Sequence, residues 1–161
     1  MEPEANGEVA EREIVVSRVI AGPQSLVFEV FSEVRHLFHW WGPNGFTTTT
    51  HSFDFHPGGI WDFTMHGPDG TDYPNWIEWL EIAPPERIVL RHGSSADDPE
   101  AFTSTVTIVG RGEVSEVTLR SVFATRSQRE EVVEKYHAIE GAEQTLGRLA
   151  GYVVAPIEST S

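Results

Sequence analysis

At 161 residues the chain is long enough for one domain with a sizeable core and cramped for two. Its 11 Lys and Arg against 25 Asp and Glu leave a net charge of −14, so the basic footprint that nucleic acid and anionic membranes require is missing, and neither is expected as a partner. With no cysteine, disulfides and thiolate chemistry are excluded. No apolar run approaches a membrane span, and the acidic N-terminus lacks the basic and apolar regions of a signal peptide, so a cytoplasmic location is expected.

Residues 1–11, MEPEANGEVAE, read as a loose acidic tail, and PIESTS at 156–161 as a second one. Between them no repeat or low-complexity linker interrupts residues 12–155, which read as a single domain. REIVVSRVIA (12–21) is a β-rich run and predicts the first strand. Gly22 and Pro23 end it, with the proline well placed in a first helical turn. Leu26, Val27, Val30, Phe31 and Val34 then recur at helical spacing, and a second short helix around Arg35–Trp41 stops at Gly42-Pro43. Adjacent helical side chains point about 100° apart, so Trp40 and Trp41 cannot occupy equivalent places in one core.

Strands follow. Counting alternate residues in GFTTTTHSFDF puts Thr47, Thr49, His51, Phe53 and Phe55 on one face. HPGG turns the chain, and IWDFTMHG alternates with Trp61, Phe63 and Met65 on one side and Asp62, Thr64 and His66 on the other. GPDGTD is a hairpin signal. YPNWIEWLEIA, RIVLRH, AFTSTVTIVG and SEVTLRSVFA supply four more strands, separated by PPE, the acidic loop GSSADDPE and a short glycine turn. From Ser127 an apolar stripe through Val132, Val133, Tyr136, Ile139, Leu146, Leu149 and Val153 predicts one helix of about 25 residues, ~40 Å long. Gly141, Gly147 and Gly151 each weaken it by about 1 kcal/mol relative to Ala, and leave room for close packing or a bend. Strands joined by short turns pair antiparallel, so the order suggests an α+β arrangement in which a curved sheet wraps a long amphipathic helix.

Four stretches in this order, FHWWGPNGF, DFHPGGIWDFTMHGPDG, WLEIAPPERIVL and EGAEQTLGRLAGYV, resemble the START-like (SRPBCC) superfamily, in particular the family related to the C-terminal domain of the activator of heat shock protein 90 ATPase. The resemblance covers roughly residues 12–155. It implies a helix-grip fold: an antiparallel sheet of six to seven strands around a long C-terminal helix, two short helices after the first strand, and a cavity between sheet and helix. It also implies binding of a small hydrophobic molecule, as START-like proteins bind lipids, sterols and polyketides and some catalyse aromatic cyclisation. The chaperone activators carry a further N-terminal domain for which this chain has no room, so chaperone regulation is not carried over. GAEQTL lacks an aromatic that many relatives have near this point, which implies a wider cavity or one filled from elsewhere.

The candidate ligand-binding residues are Trp40, Trp41, Phe46, Phe53, Phe55, Trp61, Phe63, Met65, Trp76, Phe102 and Tyr136. Each alone is better read as core, because aromatics bury large apolar areas. As a set they suit an apolar pocket of ~300–1,000 Å³, with Trp61, Phe63 and Met65 facing it, and one of Trp40 and Trp41 packing as core while the other closes the mouth. For a cavity enzyme such as a cyclase or lyase, the acid/base candidates are His51, Glu78, Tyr136 and His137. His51 shares the counted face with Phe53 and Phe55. One of Glu78 and Glu81 should approach the cavity, although pairing with Arg87 or Arg91 on the next strand is the commoner outcome. His36 and His39 have an i, i+3 spacing that metal ligands can use, but there is no HExxH and no matching acidic triplet, so no metal and no cofactor is assigned. The leading expectation is a ligand-binding module. A cavity enzyme is the second reading, requiring two polar groups within hydrogen-bond reach inside the cavity. A protein-interaction module related to the chaperone activators is the third, favoured by a large exposed apolar patch or a homodimer interface.

Overall fold

A computed structural model describes residues 9–154. The expected tails fall outside that range, apart from Val9–Glu11, which forms one 3-10 turn. Seven strands build one sheet: β1 (Glu13–Ile20), β2 (Thr47–Phe53), β3 (Ile60–His66), β4 (Asp72–Ala83), β5 (Arg87–Gly93), β6 (Phe102–Arg111) and β7 (Val114–Val122). The order across the sheet is β1-β7-β6-β5-β4-β3-β2, and every neighbouring pair is antiparallel. Hairpins link β2 through β7 in sequence. The long return from β1 carries helices α1 (Gln24–Ser32) and α2 (Val34–Trp40), and β1 and β2 form the two sheet edges. The sheet curves around the C-terminal helical segment in the helix-grip arrangement that the order of elements predicts.

The helices form where apolar spacing and chain breaks agree. In α1, Val27, Val30 and Phe31 are buried at i, i+3 and i+4. Glu33, extended at φ −130° and ψ 132°, separates α1 from α2. In α2, Leu37 and Trp40 face the core three residues apart, and Trp41 returns to extended backbone.

The expected single C-terminal helix is two helices. α3 (Arg126–Tyr136) and α4 (Ala138–Val154) meet at His137, a non-glycine residue in the left-handed region at φ 55° and ψ 46°. The three glycines, which left room for close packing or a bend, all lie within continuous α4, and a Cβ at Gly141 would meet Pro43 at 3.4 Å. The apolar spacing runs through the break from Val132 to Tyr136 to Ile139, so periodicity alone could not expose it. Tyr136 ends up exposed, whereas Leu146, Leu149 and Val153 of α4 are buried against the sheet. α3 is independently anchored. Thr125 caps it, accepting from the Gln128 amide at 3.0 Å, and Arg129 Nε donates to the carbonyl of Glu13 at 2.9 Å.

Candidate functional site

The inner face of the sheet follows from register. Trp61 lies opposite Ile77 and Phe63 opposite Asn75; Ile77 in turn pairs with His92, and His92 with Phe102. Directly opposed residues point to the same side, so these side chains form one surface. The alternation expected of β3 holds: Trp61, Phe63 and Met65 are buried and inward. Trp61 and Phe63 stack at 3.8 Å. From Phe63 a row of rings continues across the sheet through His92 (6.4 Å), Phe102 (5.2 Å) and Phe123 (4.7 Å). Towards β2, Trp61 meets Phe53 and Trp79, and Phe55 packs edge-on against Trp79 at 4.8 Å.

The tandem tryptophans divide. Trp40 is core: it is 1% exposed, lies edge-on to Phe31 at 4.8 Å, and its Nε1 donates to the carbonyl of Val30. Trp41 is half-buried and leans on Trp61 at 5.4 Å. Beyond it the chain turns at Gly42, whose φ of +97° suits glycine and where a Cβ would come within 2.5 Å of Met65 Cε. Arg148 of α4 fixes this turn. Its Nη1 donates to the carbonyls of Trp41, Gly42 and Pro43 at 3.2, 3.0 and 2.8 Å, and Nη2 donates to that of His39 at 3.3 Å. A cation at the carbonyl end of α2 is favourably placed, although partial burial draws its pKa below the usual arginine value. The Asn44 amide also donates to Gln144 Oε1. Phe46, half-buried, packs against Tyr73.

Two β-bulges alter the counted faces. β2 shifts register between Thr50 and Ser52, so Thr48, Thr50 and Phe53 face inward, and His51 turns out. Its Nε2 lies 2.9 Å from Thr64 Oγ1 on the exposed side. β4 shifts between Trp79 and Glu81, which brings Ile82 rather than Glu81 to the inner side. Glu78 and Trp76 face out, Trp76 opposite Asp62. Glu78 lies 3.8 Å from Arg91 and Glu81 3.4 Å from Arg87, so cross-strand pairing accounts for both carboxylates. Tyr136 is 63% exposed and His137 occupies the helix break. None of His51, Glu78, Tyr136 and His137 belongs to the inner face, and Trp76 and Tyr136 leave the ligand-binding set for the same reason.

The inner face instead presents a polar pair that the sequence reading did not single out. His92 Nε2 lies 2.6 Å from Asn75 Oδ1, while Asn75 Nδ2 donates to the carbonyl of Tyr73 at 3.0 Å. That second bond orients the amide, so Nε2 carries the proton and Nδ1 is left as an acceptor. Burial lowers the His92 pKa to about 4, against a smaller opposing effect of Asp98, so the ring is neutral near pH 7. Asp98 is held below the usual carboxylate range by backbone hydrogen bonds from Ser94 and Glu100, which order the acidic loop. The available signal for His92 was its even spacing from Ile88 and Leu90; nothing local pointed to Asn75. Beside the pair, Ser104 and Ser121 share a hydrogen bond of 2.8 Å. Two further buried polar atoms, Trp79 Nε1 and Thr48 Oγ1, have no hydrogen-bond partner.

Half-buried apolar residues of α3 and α4 pack against the core around the break, among them Val132, Val133, Ala138, Ile139 and Ala142. Two open recesses lie away from the aromatic row: one of about 260 Å³ between β1 and α4, bordered by Arg18 and Glu143, and one of about 500 Å³ on the acidic surface of α3. A different set of side chains with possible metal-donor atoms, Glu29, Glu33 and His36, gathers at the α1–α2 corner. No helix among the described residues is long and apolar enough to cross a membrane.

The family model described as activator of Hsp90 ATPase homolog 1-like protein matches residues 21–154. The chain belongs to that family, within the START-like superfamily. Solved structures agree on the fold. A protein from Arthrobacter aurescens superposes with a TM-score of 0.84 at 21% identity, covering 93% of this chain and 90% of its own. One from Nitrosomonas europaea gives 0.78 at 22%, covering 89% and 95%. CalU16 from Micromonospora echinospora gives 0.61 at 14%, covering 98% and 85%. No curated protein matches the sequence.

Proposed function

We propose that the concave face binds a small, largely apolar molecule carrying one hydrogen-bonding group. The supporting observation is the aromatic row from Trp61 to Phe123, interrupted by the His92–Asn75 pair. Stacked rings favour a flat apolar body, and an acceptor at Nδ1 of a neutral imidazole favours a ligand that donates a hydrogen bond. The unpaired Trp79 Nε1 adds a donor, and each buried polar group left unpaired costs about 1–3 kcal/mol, which a suitable ligand would recover. Entry is assigned to the α3–α4 break, where the overlying apolar residues are only half-buried. Trp41, held beside Trp61 by the Arg148-anchored turn, borders the opposite end.

Native mass spectrometry of the purified chain, followed by denaturation of the same sample, tests this together with titration by the apolar fluorophore 8-anilinonaphthalene-1-sulfonate. A released small-molecule adduct, or saturable one-site dye binding weakened about tenfold by Ala142→Phe in a folded variant, is the expected result. Absence of both an adduct and saturable binding would overturn the proposal. The same polar pair favours a second reading, a cavity enzyme in which the neutral His92 serves as general base. In that case turnover of a bound ligand would be lost in His92→Phe while the ligand still binds.

A further inference from the structure

We propose that Glu29, Glu33 and His36 form a site for one divalent cation of the zinc class at the corner between α1 and α2. The spacing of His36 and His39 suggested a histidine pair, but both rings lie against Tyr152, His39 stacked on it at 5.5 Å, and only His36 turns its Nε2 towards two carboxylates. The three donor atoms lie within 4.8 Å of one another. His36 Nε2 is 3.4 Å from Glu29 Oε2 and 3.9 Å from Glu33 Oε1. Both distances exceed the roughly 2.7–3.2 Å of a good N–H···O hydrogen bond. The first matches donors sharing a metal, since two bonds of about 2.1 Å at a tetrahedral angle separate their donors by about 3.4 Å, and a small shift of the half-exposed Glu33 side chain brings the second to that value.

The surroundings support ligation by His36. Its side chain is 1% exposed, so the ring is held by packing, and its Nδ1 lies 2.7 Å from Tyr152 Oη. The hydroxyl can accept from Nδ1–H, and in that tautomer the Nε2 lone pair faces the carboxylates while this outer partner holds the ring orientation. Glu33 stands at the N-cap position of α2 but makes no capping hydrogen bond with its side chain, which leaves the carboxylate available. Glu29 and Glu33 are 45% and 43% exposed, so an ion can enter and water can complete its shell. One imidazole with two carboxylates suits a transition cation better than magnesium or calcium, which favour all-oxygen shells.

Arg35 is the competing cation. Its Nε lies 2.7 Å from Glu33 Oε1 and its Nη2 3.6 Å from Glu29 Oε2, yet its side chain is 65% exposed and free to swing away. Removing it should therefore strengthen metal binding, whereas adventitious zinc on scattered surface histidines would not respond. The experiment is calorimetric titration of the chelator-stripped full chain with zinc chloride and, separately, magnesium chloride. The proposal expects one zinc per chain, at least tenfold weaker binding in Glu29→Gln/Glu33→Gln, several-fold tighter binding in Arg35→Ala, and no comparable binding of magnesium. The substituted residues are partly exposed, so folding is checked by circular dichroism rather than put at risk as it would be by replacing His36. Equal zinc binding by the wild type and the double variant, or no gain in Arg35→Ala, would overturn it.

Discussion

At the β2–β3–β4 end of the concave face, Trp61 and Phe63 stack at 3.8 Å, Trp79 and Phe55 pack edge-on at 4.8 Å, and Trp41, just past the end of α2, leans on Trp61. At the β5–β6 end, the rings of His92, Phe102 and Phe123 are joined by Asn75, Ser104 and Ser121. Both ends rest on the same alternation of strand residues. The first is dense apolar packing whose main contribution is stability. The second includes polar groups that are satisfied mainly by one another, an arrangement that favours specificity. One sheet thus combines a dense aromatic block with a ring-lined surface that carries polar groups a few residues away.

Substitutions at four positions would break or sharpen this contrast. Trp61→Ala removes a fully buried indole from the stacked end and should cost about 3–5 kcal/mol in denaturant unfolding. A loss under 1 kcal/mol would mean that the aromatic block is not the stabilising half.

His92 provides the pH test. Its folded pKa of about 4 lies below the unfolded value near 6.5, so between those values the unfolded chain binds the extra proton. The contribution is fully present above pH 6.5 and is lost as pH falls towards 4, up to roughly 3 kcal/mol and less to the extent that water reaches the ring. His92→Phe should therefore flatten the stability–pH curve over this window, while Trp61→Ala should shift the curve down without flattening it. Parallel curves for wild type and His92→Phe would contradict a neutral imidazole at this position.

Arg148→Met removes the donors to four carbonyls and should cost about 2 kcal/mol, with increased proteolysis in the segment around the freed turn, 38–46. Arg148→Lys should recover little, since an ammonium cannot reproduce the guanidinium fork. The smallest effect is expected at the other end. His137→Gly relieves a left-handed residue and should leave stability unchanged or raise it by up to about 1 kcal/mol, whereas His137→Val should lower it. Thermal unfolding of the pair distinguishes a true break from a continuous helix, in which glycine would destabilise and valine would be tolerated.

The sequence by itself determined the order of elements, the antiparallel sheet with its C-terminal helical segment, and the inward side of β3, because hydrophobic periodicity and turn residues are local signals. It also separated Trp40 from Trp41 as inequivalent, since neighbouring helical side chains diverge. Tertiary structure decided the rest. A bulged residue in β2 reversed the face of His51, and another in β4 kept Glu81 outside, because inserted residues shift a period of two without changing composition. The break at His137 was hidden by apolar spacing that continues through it. The groups with the most chemistry, His92 with Asn75, His36 with Tyr152, and Arg148 with the Trp41–Pro43 turn, meet across 17, 116 and 105–107 residues. No local pattern encodes such contacts; they exist only once strand register and helix docking bring distant parts of the chain together.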